Sequence, residues 1–122
     1  MTDSSAVLDT ERIEALVDEI GDRVLVREAL QTFIDEVPGR LAAISDALAG
    51  GDDPEIKSAA HALGSPAAML GAVAVRSETR RLQAAAGEEA TEEYPGLVDA
   101  VESATARTEQ AMRDYLGSPA SA

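Results

Sequence analysis

The sequence predicts an all-α protein, an antiparallel up-down four-helix bundle with an additional short helix at its N-terminus. Hydrophobic residues make up 45% of the 122 residues but aromatic residues only 2%, and this composition favours closely packed helices over sheets. Apolar residues recur at three- and four-residue steps, and no segment alternates as a strand does. The connections between the periodic segments are short, which favours antiparallel neighbours.

The first helix is predicted to follow Asp9, a favourable N-cap residue, and to end at Gly21. The second helix covers about residues 22–48, where the apolar stripe is sustained. Pro38 and Gly39 lie inside it, and such a pair bends or breaks a helix. Because the stripe keeps its phase across the pair, we expect a kink in a continuous helix.

The third helix begins after the turn GGDDP at residues 50–54. Asp53 is the predicted N-cap, and Pro54 then takes the first helical position, where proline is tolerated. From there the helix runs through His61 toward Leu70.

The tripeptide Gly64-Ser65-Pro66 allows two interpretations within the third helix. Gly64 could end one helix, with Ser65 as N-cap and Pro66 as first residue of the next. Alternatively, one helix continues with a kink or a loosened turn. We expect one helix, because Leu63 and Ala67 stay on a common apolar stripe across the proline.

A fourth helix follows the break at Gly71, and a fifth spans about residues 91–116. The pattern fits one domain at residues 9–116. Residues 1–8 and 117–122 carry no sustained pattern and are predicted to be flexible ends.

Composition argues against several classes of function. The net charge of −13 disfavours binding to nucleic acid or to anionic lipid. The chain has no cysteine, and it has no apolar run near the roughly 20 residues that span a bilayer. The N-terminus lacks the basic and apolar regions of a signal peptide. We therefore expect a cytoplasmic protein with no membrane association.

Basic residues are concentrated around the single histidine of this acidic chain. Between Lys57 and Arg81 the sequence has four bases and one acid. At about 100° per residue, His61 lies more than about 90° from the centre of the apolar stripe of its helix, and so points outward. The neighbours on its face, within two turns, are Lys57, Gly64, Ser65 and Ala68.

A lone surface histidine usually has no special function, but two features favour one here. Glycine inside a helix costs about 0.5–1 kcal/mol relative to alanine, so Gly64 indicates that another surface approaches the ring closely. The local positive charge suits a phosphorylated imidazole, and histidine can form such a covalent intermediate. One histidine is a poor start for a metal site, and no nucleotide-binding loop is present.

The stretch AAHALGSPAAMLGA at residues 59–72 resembles the signature of histidine-containing phosphotransfer (HPt) domains, roughly A-H-x-L-K-G-S-[SA]-x-x-x-G-[AL]. His61 matches the phosphorylated histidine of that pattern. The other matching positions are Ala60, Leu63, Gly71 and Ala72. The resemblance covers about residues 9–116 and implies a four-helix bundle with a short extra helix.

The chain departs from the HPt pattern directly after the histidine. Gly64 stands where the family usually has lysine, Ser65 stands where it has glycine, and Pro66 follows. The family's lysine would help to neutralise the phosphoryl group. Our first candidate for a substitute is Lys57, one turn before His61. The remaining candidates are Arg76 and Arg80 on the next helix for charge, and Gly64, Ser65 and Ala68 for the surface that a receiver approaches.

The resemblance implies a phosphorelay intermediate. His61 would accept a phosphoryl group from the phosphoaspartate of a response-regulator receiver, or of the receiver in a hybrid histidine kinase, and pass it to another receiver. The receiver would supply Mg²⁺, so this chain is expected to bind no cofactor and to be a carrier rather than a kinase. The alternative is an HPt-fold docking or adaptor module that binds a receiver or kinase without carrying phosphate. A monomer is expected.

Overall fold

The computed structural model describes residues 6–118, and within them the chain forms five α-helices and no strand. This confirms the predicted all-α class. The helices are α1 (Thr10–Ile20), α2 (Arg23–Gly50), α3 (Asp53–Met69), α4 (Val73–Gly87) and α5 (Tyr94–Leu116), the last preceded by a 3₁₀ turn at Thr91–Glu93. None of these helices is both long and apolar enough to cross a membrane.

The four longer helices form the bundle, and α1 is the short extra helix. Helix α3 packs against α2 and α4, and α5 packs against α4 and α2, so each bundle helix has two neighbours. Helix α1 packs against α2. Because the connections between successive bundle helices are short, neighbours run antiparallel, as the sequence predicts.

The core is built from aliphatic side chains, as the low aromatic content requires. Ile13, Leu30, Ile44, Leu63 and Leu82 are each fully buried. Three threonine hydroxyls are also buried, and each donates to a backbone carbonyl of its own helix, which avoids an unpaired buried group. The donors are Thr79, Thr105 and Thr108.

Both internal prolines lie within continuous helices. Helix α2 runs unbroken past Pro38, and α3 runs unbroken past Pro66. The interpretation of one continuous third helix is confirmed, and the alternative of a new helix starting at Ser65 is wrong. The apolar stripe therefore outweighs the local cost of proline at both positions.

The caps of α1 agree with the sequence, but the cap of α3 does not. The Asp9 side chain accepts from the Arg12 backbone N–H at 3.1 Å. At α3 the N-cap is Asp52, whose Oδ1 accepts from the Glu55 N–H at 3.2 Å, so the prediction of Asp53 is wrong. Asp53 instead accepts a hydrogen bond from the hydroxyl of Tyr94, at the start of α5.

Residues just outside the predicted domain boundaries make contacts with residues inside them. Val7 and Leu8 are buried, and the carbonyl of Val7 accepts from the backbone N–H of Ala74 at 3.4 Å. At the other end, the Ser118 N–H donates to the carbonyl of Tyr115 at 3.1 Å. The contacts of the bundle thus include residues on either side of the range 9–116. The rest of the prediction concerns residues 1–5 and 119–122, which lie outside the described residues.

The N-terminal segment is held at the turn between α3 and α4. The Asp9 N–H donates to the Gly71 carbonyl at 2.7 Å. Gly71 has φ +75°, a left-handed conformation that favours glycine. A Cβ at this position would lie 2.6 Å from the Asp9 carbonyl oxygen. The glycine thus permits both the turn and the close approach of the N-terminal segment.

A polar cluster joins α1, α2 and α5. Arg23 forms two hydrogen bonds with the Glu14 carboxylate, at 2.8 and 2.6 Å. The Tyr115 hydroxyl also donates to Glu14. These two partners, Arg23 before Tyr115 in importance, lower the pKa of Glu14 to about 2. The cluster fixes the short helix to the bundle.

Candidate functional site

His61 lies exposed in the middle of α3, as helical phase predicts. The residues that share its turn on the core side, Ala60 and Leu63, are fully buried. The helix backbone fixes the place from which the imidazole extends, and the core under it is aliphatic. The ring is therefore presented to solvent from a rigid support.

Gly64 is buried, and the expectation that it lies on a surface approached by a partner is wrong. A Cβ at Gly64 would lie 3.2 Å from the Cβ of Thr79 and closer still to the Thr79 hydroxyl. Helix α4 therefore packs directly on this glycine, so the close-approaching surface belongs to the chain itself. Ser65 and Ala68 are exposed, as predicted.

Helix α4 runs back along α3, which decides which of its residues are close to His61. A three-residue connection joins the two helices. Gly64, five residues before the end of α3, lies against Thr79, six residues after the start of α4. The next turn of α4, which carries Arg80, is consequently level with the turn of α3 that carries His61.

Arg76 on α4 places its guanidinium over Gly64. Its Nη1 atom lies 3.5 Å from the position that a Cβ on Gly64 would occupy. Because Cβ atoms three residues apart on a helix are about 5–6 Å apart, Nη1 lies within about 9 Å of the His61 Cβ. Arg76 is half-buried, whereas Arg80 and Lys57 are exposed. The structure thus brings the Arg76 guanidinium to Gly64, one turn from the histidine.

The three basic side chains that the sequence proposes for charge neutralisation have no acidic partner within residues 6–118. Lys57, Arg76 and Arg80 form no ion pair and no side-chain hydrogen bond there. Arg81, in contrast, is paired with Glu78 at 3.2 Å. Unpaired cations beside an exposed imidazole in an acidic protein make this region suited to an anion.

A groove between α2 and α3 begins one turn after His61, and the sequence analysis missed it. Its volume is about 380 Å³. Met69 lies on its rim and is 57% exposed, which is unusual for a large apolar side chain. Its lining residues are Ala29, Thr32, Phe33, Glu36, Arg40, Ser65, Pro66, Met69 and Leu70. Such a groove gives a partner an apolar contact area next to the histidine.

The fold and the exposed histidine together define a class of protein, a helical carrier that presents one imidazole to a partner. The chain matches the Hpt domain family over residues 28–113, and it belongs to that family. It is a histidine phosphotransfer module of the kind that acts in phosphorelays and two-component signalling. Members of the family are phosphocarriers that interact with response-regulator receivers and histidine kinases.

Among solved structures, the chain is similar to histidine-containing phosphotransfer protein B from Pseudomonas aeruginosa PAO1. The TM-score is 0.80 at 22% sequence identity, and the alignment covers 88% of this chain and 92% of that chain. This likeness confirms the fold. No curated protein matches the chain.

Proposed function

We propose that this protein is a phosphorelay intermediate whose phosphoryl carrier is His61. It accepts the phosphoryl group from the phosphoaspartate of one receiver domain and transfers it to the aspartate of another. The observation that carries the proposal is the exposed imidazole in the middle of α3, beside cations that have no acidic partner within the described residues. The family membership supports the same role.

The reaction needs only a nucleophile and charge stabilisation from this chain. An unprotonated ring nitrogen of His61 attacks phosphorus, the P–O bond to the donor aspartate breaks, and the aspartate leaves as a carboxylate. Transfer to the second receiver reverses these steps. Because the surroundings of His61 are cationic, they suit phosphate oxygens, and we expect the receiver to supply the Mg²⁺.

Docking is expected to use the surface C-terminal to His61 on α3. Ser65 and Ala68 are short and exposed there, and Met69 offers a flexible apolar contact at the rim of the groove between α2 and α3. The cations near His61 would face the acidic mouth of a receiver, which favours the productive orientation. We expect a monomer to dock in this way.

The test is transfer from a panel of receiver domains that have been phosphorylated with radiolabelled acetyl phosphate. We expect the chain to gain an acid-labile, alkali-stable label. The control is His61→Gln, which leaves the core untouched because the side chain is exposed, and which should gain none. Specific binding of a receiver without label would instead favour the docking module. No label from any receiver that binds contradicts the carrier role.

A further inference from the structure

Position 64, three residues after His61, has no side chain, and side chains of α4 occupy the space beside it. Gly64 has no side chain, and Thr79 and Arg76 fill the space that one would take. A lysine at position 64 would require a Cβ within 3.2 Å of the Thr79 Cβ, closer than such atoms normally pack. A lysine at position 64 is therefore incompatible with the present packing of α4 on α3.

Arg76 is better placed than the other two cations to hold an anion at His61. It is half-buried, while Lys57 and Arg80 are exposed. Burial reduces screening by salt and restricts the rotamers of the side chain. The backbone of Arg76 is also fixed, because its carbonyl accepts the Thr79 hydroxyl at 3.1 Å.

The chemistry of the side chain suits a phosphoryl group. A guanidinium is a planar cation that offers two parallel N–H donors to a pair of phosphate oxygens. Within residues 6–118 no carboxylate neutralises Arg76. Its donors are therefore free for an incoming anion.

We propose that Arg76 contacts the phosphoryl group on His61, and that the packing of Thr79 on Gly64 brings it there. This inference rests on the proposed function and makes it more specific. The cation that contacts the phosphoryl group is assigned to α4, in preference to Lys57 on α3. Arg76 takes part in no proton transfer. It stabilises the negative charge on the phosphoryl oxygens while the N–P bond forms and the bond to the donor breaks.

The test uses a small-molecule donor, so that its outcome does not depend on finding a receiver. Potassium phosphoramidate phosphorylates histidine directly, and the rate of phosphohistidine formation is measured for wild type and variants. We expect Arg76→Ala to lower this rate about tenfold, since it removes a charge-assisted contact to the phosphoryl group. Arg76→Lys keeps the charge but loses the bidentate geometry, so it should recover part of the rate.

Two comparisons separate this contact from general charge. Arg113→Ala removes from α5 an exposed cation that forms no ion pair within the described part of the chain. Helix α5 does not pack closely on α3, so this variant should react at the wild-type rate. Lys57→Ala should lower the rate less than Arg76→Ala does. Circular dichroism of each variant verifies that the helices are intact.

A direct observation completes the test. In nitrogen–proton correlation spectra of the wild type, the side-chain Nε–H signal of Arg76 should shift when His61 is phosphorylated. An unshifted signal overturns the proposal, as does an Arg76→Ala rate within twofold of wild type or a larger loss in Lys57→Ala. If phosphoramidate labels His61 but no receiver does, the relay role fails while the Arg76 contact is still decided.

Discussion

Replacing Gly64 by alanine tests whether α4 packs directly on α3 beside His61. Two opposing effects set the expected change in the free energy of unfolding. Alanine stabilises a helix interior by about 1 kcal/mol relative to glycine. The added Cβ would approach the Cβ of Thr79 to 3.2 Å and its hydroxyl more closely, and such overpacking costs about 1–3 kcal/mol. We expect Gly64→Ala to be destabilised by about 0–2 kcal/mol.

A matched control removes the helix-propensity effect from this comparison. Gly39 also lies inside a helix, and a Cβ added there meets no other atom within 4 Å. Gly39→Ala should therefore be more stable than wild type by about 0.5–1 kcal/mol. The difference between the two variants, about 1–3 kcal/mol, measures the cost of the contact with Thr79 alone.

Urea denaturation followed by far-ultraviolet circular dichroism gives the unfolding free energy of each variant. A double-mutant cycle with Thr79→Ala then identifies the contact, because loss of the hydroxyl should recover about 1 kcal/mol in the Gly64→Ala background. Equal stabilisation by Gly64→Ala and Gly39→Ala would refute the close approach of α4. The basis for placing Arg76 at the site would then be lost as well.

Three further changes test other parts of the structure. Gly71→Ala should lower the unfolding free energy by about 2–4 kcal/mol in urea, because it strains a residue at φ +75° and drives a Cβ to 2.6 Å from the Asp9 carbonyl oxygen. Glu14→Gln should reduce stability above pH 4.5, and the difference in stability from wild type should vanish as the pH falls toward 2. The reason is that the hydrogen bond from Arg23 lowers the pKa of Glu14 to about 2, and only the ionised carboxylate is stabilised by that bond. Thermal scans across that pH range measure the effect, and a deficit that is constant with pH contradicts it. His61→Gln should keep the unfolding free energy within about 0.5 kcal/mol of wild type while abolishing the phosphate label; a large loss of stability would show a structural role.

Most of the fold could be predicted because its signals are local and repeated. The apolar stripes of α2 and α3 persist across Pro38 and Pro66 and therefore predict continuous helices, and both helices are continuous. The cap of α3 could not be decided in this way, because Asp52 and Asp53 have the same capping side chain. A contact with Tyr94, 41 residues away, engages the second aspartate, and no local pattern contains that information.

The difference between local patterns and contacts of distant residues also explains why the N-terminal boundary could not be predicted. Val7 and Leu8 are two apolar residues without a period, and a pair is too short to indicate an amphipathic segment. Both residues are buried. The backbone there is hydrogen-bonded to the Gly71 carbonyl, through the Asp9 N–H, and to the Ala74 N–H, through the Val7 carbonyl. Only the assembled bundle shows that this segment belongs to it.

At the candidate site, helical phase was sufficient for His61 and insufficient for Gly64. Phase gives the direction of a side chain relative to the stripe of its own helix, and His61 lies more than about 90° from the centre of that stripe. Gly64 lies nearer the edge, where the position of the adjacent helix decides whether a residue is covered. The sequence contains no measure of how closely α4 approaches, so the glycine was assigned to a partner's surface when it serves the contact with Thr79.

The replacement of the family's lysine by Gly64 therefore has a structural reason. Without a Cβ at Gly64, α4 packs directly against α3, and the same approach brings the Arg76 guanidinium to Gly64, one turn from His61. A change that removes one cation from α3 is accompanied by a packing that introduces another from α4. Loss of the lysine is consequently weak evidence against phosphotransfer in this chain. If Arg76 takes over the role of the lysine, replacing Arg76 should slow the phosphorylation of His61.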